Sequence, residues 1–352
     1  MRVTQYIIIL LLLLLSACNV HEWPDPKDYV RCHVRLNYNT DMTEWDHLCE
    51  NENVGELGVG DIYDNHLESG IIRYIIRTYP ISKDGHTMQN HMQEFVFTKD
   101  IASGYDHEVS LDIIPGNYNI MVWSDLLKAG QSVPYYDAVK FTRIRLQGDY
   151  AANTDYRDSF RGLKQVSLVS DITEKLPDTL DIQMCRPVGK FEFIAKDVKE
   201  FVDKEYKRIY ANSNSGKSAA DGNVSSRSIN LEDYKVVFSY VGFMPSAYSI
   251  HTDRPVDSST GVIFESTLKK LTESEATMGF DYVFVRDNKS SVTIQYSVCD
   301  NTGKPIMVSK SLDVPVGRDY HTRVFGYFLT ATSRGGTLIN PDYNGEYNLI
   351  FP

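Results

Sequence analysis

The chain has 352 residues, a net charge of −11 and a hydrophobic fraction of 42%. Nucleic-acid binding depends on clustered lysine and arginine, so this acidic chain without a basic block is not expected to bind nucleic acid. Its length suits two domains of roughly 100–200 residues each. Its 23 tyrosines and 15 phenylalanines favour strands, because aromatic side chains pack well on a pleated sheet.

The N-terminus carries the features of a bacterial lipoprotein signal. An aliphatic run, Ile7 to Leu15, is shorter than the roughly 20 residues of a bilayer span and indicates a signal peptide. It ends in Leu15-Ser16-Ala17-Cys18, which resembles a lipobox, where small residues admit the peptidase and the cysteine is acylated. The alternative is an ordinary signal peptide with an incidental cysteine. We predict a signal peptide over residues 1–17 and lipidation of Cys18, which attaches the protein to the membrane.

Residues 18–28 are the predicted lipidated tether, in which two prolines favour an extended path. Its last ten residues reach at most roughly 33 Å, so the folded body is expected to stay close to the membrane. Glu22, Asp25 and Asp28 resemble, in a more spread-out form, a surface-export signal of gut-type Bacteroidetes. The predicted location is therefore the outer membrane, with the protein lipid-anchored at the cell surface.

The first half of the chain predicts strands. Apolar and polar residues alternate from Tyr29 to Tyr38, which is typical of a half-buried strand. Residues 40–70 are polar and contain glycine, which predicts a long loop or an irregular insertion. Glu108 to Ile114 and Tyr118 to Trp123 flank Pro115-Gly116-Asn117, which predicts a hairpin. The other strands are predicted at Ile71 to Tyr79, Gln93 to Thr98, Val139 to Leu146, Val166 to Val169 and Thr179 to Met184.

Arg186-Pro187 marks the predicted domain boundary, since proline cannot donate to a central ladder. This gives an N-terminal β-sandwich domain over residues 29–187 and a C-terminal one over 188–352. One short helix is predicted from Asp197 to Ile209, with Asp197 as its N-cap. Residues 211–228 are small and polar and predict a disordered loop. The strands of the second half are predicted at Lys190 to Ala195, Lys235 to Phe243, Gly261 to Glu265, Phe280 to Arg286, Ser291 to Cys299, Pro305 to Val314, Tyr320 to Thr330 and Glu346 to Phe351.

Many short strands separated by turn residues predict an all-β protein of two antiparallel β-sandwiches. Four cysteines remain besides Cys18 and show no CxxC pair: Cys32, Cys49, Cys185 and Cys299. A Cys32–Cys49 disulfide and buried free thiols both stay open as readings.

The sequence contains none of the local motifs HExxH, GxSxG or the glycine-rich dinucleotide fingerprint, so no enzymatic activity and no cofactor are predicted. Gly216-Lys217-Ser218 lacks the first glycine of a phosphate-binding loop, because position 211 is Ala211. His86 and His91 do not have the i, i+4 spacing of a helical metal pair, and no metal site is predicted.

Tryptophans could stack on sugars. Trp23 lies in the tether and Trp123 is predicted to be core, which leaves Trp45 as the candidate ligand-binding residue.

Two stretches resemble the fimbrillin-like lipoproteins of Bacteroidetes, a family related to fimbrial anchor and minor pilin subunits. Leu111 to Asp125 (LDIIPGNYNIMVWSD) resembles their PGxY hairpin. Val314 to Thr330 (VPVGRDYHTRVFGYFLT), followed by Asn340 to Glu346, resembles their closing strands, with Asp319 in place of the usual asparagine. The resemblance implies two tandem transthyretin-like β-sandwich domains. It also implies partnership with other pilin-like subunits by strand exchange. In the family, polymerisation uses proteolytic release of the first strand after an arginine; Arg31 and Arg35 are not assigned as that cleavage site.

These features predict a cell-envelope lipoprotein with a structural or adhesive role, either a fimbria-like subunit or a fimbrial anchor. The alternative is a carbohydrate-binding accessory lipoprotein of a glycan-uptake system, which would use Trp45.

Overall fold

The computed structural model of the chain describes residues 29–64, 67–168, 179–213, 229–287 and 290–330. Several predicted features lie outside these residues. They are the signal peptide, Cys18 and the tether, most of the polar segment 211–228, and the strand predicted at Glu346 to Phe351.

The described residues fold almost entirely into β-strands, which confirms the all-β class. In chain order the strands are β1 (Val30–Tyr38), β2 (Asp41–Glu50), β3 (Asn53–Asp64), β4 (Ile71–Pro80), β5 (Gln93–Asp100), β6 (His107–Ile113), β7 (Gly116–Leu127), β8 (Tyr136–Asp137), β9 (Ile144–Leu146), β10 (Ser159–Leu168), β11 (Leu180–Met184), β12 (Val188–Ala195), β13 (Lys235–Tyr240), β14 (Met244–Ser249), β15 (Arg254–Ser259), β16 (Ile263–Thr267), β17 (Lys269–Lys270), β18 (Ala276–Phe284), β19 (Ser290–Cys299), β20 (Pro305–Val308), β21 (Leu312–Val316) and β22 (Tyr320–Gly326).

One α-helix occurs in the described part of the chain, α1 (Val198–Ser213). It confirms the predicted helix but runs four residues past the predicted end at Ile209. Residues 211–213 therefore belong to the helix and not to the predicted loop. Val198 and Phe201 are buried and pack the helix against the second sandwich.

The first sandwich packs two sheets against each other. Sheet I has the order β11-β1-β6, with β1 parallel to β11 and antiparallel to β6. Sheet II has the order β10-β7-β4-β5 and is antiparallel throughout. The alternation along β1 turns Val34 and Leu36 inward. They meet Ile72 and Ile120 of sheet II in an apolar cluster that we call the first core.

The second sandwich contains the larger sheet. Sheet III has the order β17-β18-β12-β22-β2-β3. Sheet IV has the order β16-β13-β19-β20, and β21 also pairs with β19. Phe191, Phe193 and Val324 of sheet III pack with Phe238 of sheet IV in the second core.

A third apolar cluster lies between the two sandwiches. Sheet V, with the order β15-β14-β9-β8, combines strands from both halves of the sequence. Trp123 and Tyr136 from the first half meet Tyr248 and Phe284 from the second half in this cluster. Trp123 is completely buried, which confirms its predicted core position.

The prediction of a long loop or an irregular insertion over residues 40–70 is wrong. Residues 41–50 and 53–64 form the antiparallel pair β2 and β3, which joins sheet III beside β22. Two register shifts interrupt the pairing of β2 with β3, and β3 contains three glycines. These features conceal the two-residue period by which a strand is recognised.

The predicted hairpin around Pro115-Gly116-Asn117 is also wrong. Its two strands form, but β6 pairs with β1 in sheet I and β7 pairs with β4 and β10 in sheet II. The turn therefore carries the chain from one sheet to the other. Proline and glycine serve both kinds of connection, so the local sequence does not distinguish a hairpin from an arch between sheets.

Candidate functional site

Two neighbouring strands of sheet I pass together into sheet III. β1 leads into β2 through Asn39 and Thr40, and β11 leads into β12 through residues 185–187. We call residues 38–41 and 184–188 the strand crossing. β1 and β11 are paired up to Tyr38 and Met184. In sheet III their continuations β2 and β12 lie on either side of β22. The predicted boundary at Arg186-Pro187 falls at this crossing, while the division into two domains stays a prediction.

Arg186 connects the two segments of the strand crossing. Its side chain is fully buried, and its Nε donates to both carboxylate oxygens of Asp158 at 3.1 and 3.0 Å. Its terminal nitrogens donate to the backbone carbonyls of Asn39, Thr40 and Asp41 at 3.2, 2.5 and 2.9 Å. Burial alone would lower the pKa of Arg186, but the carboxylates of Asp158 and Asp319 outweigh it and raise that pKa.

A second buried ion pair joins the two halves of the sequence. Arg157 donates to Asp281 of β18 and, at 2.8 Å, to the carbonyl of Tyr282. The hydroxyls of Tyr150 and Tyr240 also donate to the Asp281 carboxylate. Burial raises the pKa of Asp281, and Arg157 and the tyrosine hydroxyls oppose this rise. The carboxylate therefore accepts from several donors, as a buried charge requires.

Lys190 of β12 makes a third link. Its Nζ lies 2.8 Å from Asp155 Oδ1 and 4.6 and 4.5 Å from the ring centroids of Tyr63 and Phe280. Burial alone would lower the pKa of Lys190, but Asp155 outweighs it and raises that pKa. A cation close to aromatic faces and one carboxylate is stabilised without full hydration.

Polar side-chain pairs also cross the pairings of β22 with β2 and with β12, which we call the β2 seam and the β12 seam. Arg323 donates in a bidentate arrangement to Asp46 of β2 at 2.8 and 2.8 Å and lies 2.8 Å from Glu44. On the other side, His321 Nε2 lies 3.0 Å from Glu192 of β12. Burial lowers the pKa of His321, and Glu192 opposes this shift. These pairs connect β22 to each of its parallel neighbours.

The buried ion pairs described here connect different segments of the chain. The buried carboxylates Asp158, Asp281 and Asp125 each face an arginine, at Arg186, Arg157 and Arg73 respectively. Among the described residues there is no group of histidine, cysteine and carboxylate side chains that could hold a metal ion. Within the same residues, no helix is long and apolar enough to cross a membrane.

Of the predicted site residues, Cys18 lies outside the described part of the chain. Trp45 lies in β2 and not in a loop, and it is half-buried. Its ring packs 5.3 Å from that of Tyr320 and 4.7 Å from that of His47. It lies on the same face of β2 as Cys49, which belongs to the second core. Its role in ligand binding stays a prediction.

The four described cysteines are free in the structure. Cys32 lies in β1 of sheet I and Cys49 in β2 of sheet III. His86 and His91 lie in the connection between β4 and β5, and the ring of His91 is 5.9 Å from that of Tyr79.

No sequence motif identifies Arg157, Asp158 and Asp281. Their only local signal is the break of strand pattern around Asp155 to Gly162, which forms a 3-10 turn followed by β10. Arg157 and Asp281 are 124 positions apart, so no short-range motif could connect them.

Comparison with known proteins places the chain in a family. Residues 26–352 match the model of a "Family of unknown function (DUF6562)". The chain belongs to this family. A search of curated proteins finds no match.

Several solved structures that are similar to the chain are described as fimbrial or adhesin proteins. A putative adhesin from Bacteroides ovatus is 11% identical, with 81% of this chain and 82% of that chain covered and a TM-score of 0.37. The fimbrial anchor protein Mfa2 from Porphyromonas gingivalis is 14% identical, with 80% and 82% covered and a TM-score of 0.34. A fimbrial assembly protein from Parabacteroides distasonis is 12% identical, with 84% and 90% covered and a TM-score of 0.36. With TM-scores below 0.5, these likenesses support no inference about function by themselves.

Proposed function

We propose that the chain is a lipid-anchored protein of the bacterial cell envelope with a structural or adhesive role, as a fimbria-like subunit or a fimbrial anchor. The proposal includes lipidation of Cys18, an outer-membrane location with exposure at the cell surface, and assembly with pilin-like partners by strand exchange. It includes no enzymatic activity.

The observation that carries the proposal is the direction of the chain through the two sandwiches. β1 enters sheet I at Val30, eight residues before the crossing begins at Tyr38. β22 runs parallel to β2 and ends at Gly326, which pairs with Cys49 near the far end of β2. Val30 at the start of β1 and Gly326 beside the end of β2 therefore lie at opposite ends of the path β1–β2. A lipid at Cys18 would hold one end and leave the other available to a partner.

Acylation is tested by metabolic labelling of growing cells with an alkyne analogue of palmitate. The wild-type chain is expected to take up the label, and Cys18→Ala is expected to lose it. Cys185→Ala is the matched control, because it removes a partly exposed thiol and should leave labelling intact. An unlabelled wild-type chain, or equal labelling of Cys18→Ala, would refute the lipid anchor.

The structural or adhesive role is tested in a deletion strain complemented with the wild-type gene or with Cys18→Ala. Loss of surface fibres or of cell adhesion is expected in the deletion strain, and only the wild-type gene should restore it. Fibres and adhesion that are unchanged in the deletion strain would refute the structural or adhesive role.

A glycan array with wild-type protein and Trp45→Ala tests the carbohydrate-binding alternative. Binding by the wild-type protein that is lost in Trp45→Ala would support this alternative.

A further inference from the structure

We propose that β22 and its two parallel neighbours, β2 and β12, form a clamp that bears tensile force along the chain. This inference rests on the proposed function, in which one end of the chain is anchored and the other is held by a partner. The clamp consists of β2, β12 and β22 in sheet III.

Force enters the clamp at opposite ends of a parallel strand pair. A pull on Tyr29 travels along β1 and through Asn39 and Thr40 to Asp41, the first residue of β2. A pull from the C-terminal side reaches Gly326, the last residue of β22. Because β2 and β22 are parallel, these two points lie at opposite ends of the paired region.

This geometry loads the pairing in shear. Seven residue pairs connect the strands, from Thr43 with Tyr320 to Cys49 with Gly326. Force applied at opposite ends slides one strand along the other, so the hydrogen bonds of the ladder share the load. Force applied at the same end would open the pairs one after another. Forced unfolding depends on the height of the unfolding barrier, and shared loading raises that barrier.

The second neighbour of β22 receives load in the same sense. β12 is also parallel to β22, with six residue pairs from Lys190 with His321 to Ala195 with Gly326. β12 is continuous with β11 through the crossing, and β11 pairs with β1. Arg186 donates hydrogen bonds to the carbonyls of Asn39, Thr40 and Asp41. It therefore links the two segments of the strand crossing.

Side chains reinforce both seams of the clamp. Arg323 is bidentate to Asp46 across the β2 seam, and both side chains are about three-quarters buried (24% and 23% exposed). His321 contacts Glu192 across the β12 seam, with exposures of 3% and 16%. A bidentate arginine–carboxylate pair fixes the relative position of its partners more strictly than a single contact does. These pairs resist the sliding that shear demands.

The test is single-molecule force spectroscopy on residues 18–352 with Cys18→Ser, which keeps the chain in solution. A p-azidophenylalanine at Tyr327, which is 58% exposed, provides one handle. The other handle replaces either Tyr29, which gives shear across β2 and β22, or the exposed Glu50, which gives unzipping from the shared end. At one loading rate we expect the rupture force in shear to be about two-fold higher than in unzipping. Equal forces in the two directions would overturn the proposal.

Arg323→Met tests the side-chain reinforcement. It is expected to lower the rupture force in the shear direction by roughly a third and to change the unzipping force less, because unzipping breaks the contacts in sequence. Lys235→Met is the matched control, since it removes the exposed pair Lys235–Glu265 of sheet IV, away from the clamp. A shear force in Arg323→Met equal to that of Lys235→Met would contradict the reinforcement.

The outcomes separate this inference from the proposed function. Unequal forces in a chain that is not acylated in cells would leave the clamp standing and remove the anchor. Acylation together with equal forces would do the reverse.

Discussion

The first core and the strand crossing both exclude solvent, but they use opposite kinds of side chain. Leu36, Ile72 and Ile120 in the first core are completely buried aliphatic residues. At the crossing, Arg186 is completely buried, and nearby Arg157 and Asp281 are 3% and 1% exposed. Aliphatic contacts tolerate many arrangements of similar volume, whereas a buried ion pair requires one partner in one geometry. We therefore interpret the first core as the source of stability and the charges as the device that fixes how the two sandwiches join.

The largest effect is expected from breaking one ion pair at this junction. Arg157→Met leaves the Asp281 carboxylate buried without its cation and should cost about 3–5 kcal/mol of unfolding free energy. Urea unfolding measures the loss. The double variant Arg157→Met with Asp281→Leu should recover part of it, because no charge is then left buried. A double variant less stable than Arg157→Met would contradict the assignment of specificity to the pair.

In the first core, the loss of unfolding free energy should increase with the side-chain volume that a substitution removes. Ile120→Ala is expected to cost roughly 2–5 kcal/mol and Ile120→Val roughly 0.5–1.5 kcal/mol, because each leaves a cavity of different size. Urea unfolding of both variants checks the gradation. Equal losses would show that this core does not behave as a packed apolar interior, and the contrast with the junction would lose its basis.

The junction also depends on one close approach of backbone. A Cβ added at Gly189 would lie 2.4 Å from the carbonyl oxygen of Gly317, which is too close for any side chain. Gly189→Ala should therefore destabilise the protein by about 1–3 kcal/mol through forced backbone displacement. Gly303→Ala is not a suitable control because its φ is +81°; Gly55→Ala is, since nothing lies within 4 Å of its Cβ position. Equal melting temperatures for Gly189→Ala and Gly55→Ala would contradict this prediction.

The smallest expected effect is a dependence of the unfolding free energy on pH. Burial lowers the pKa of His47, His107, His251 and His321 below the ordinary value of 6.5. Between each lowered pKa and 6.5 the unfolded chain binds more protons than the folded chain, so stability rises with pH in that window and falls on acidification. In His107→Phe, the slope of unfolding free energy against pH should decrease by at most about 1.4 kcal/mol per pH unit. A slope identical to that of the wild-type protein would contradict the contribution of His107.

The contrast between the two regions also explains what the sequence could predict. The alternation from Tyr29 to Tyr38 and the helical spacing after Asp197 are local patterns, and both elements formed where they were expected. The core position of Trp123 followed from its apolar neighbours. These signals work because a strand or a helix is recorded in residues that are adjacent in the sequence.

The side-chain pairs of the crossing and of the clamp could not be predicted in this way. Asp46 and Arg323 are 277 positions apart, and each resembles an ordinary surface charge when seen alone. The sequence predicts a loop at Trp45 because residues 40–70 are polar and contain glycine, and the register shifts between β2 and β3 hide the two-residue period of a strand. The hairpin around Gly116 does not form because the pairing partners of both strands lie elsewhere. The lipidation of Cys18 stays a prediction that the described residues do not reach.

The pair β2 and β3 has a consequence for the order of folding. This pair is made early in synthesis, yet β22 follows almost at the end of the described chain, and contacts between such distant segments form slowly. Until β22 is available, the pair keeps an open strand edge, which exposes it to wrong partners. A fragment that starts at residue 188 would lack two of the six strands of sheet III. The second sandwich therefore contains two strands, β2 and β3, from the first 64 residues of the sequence.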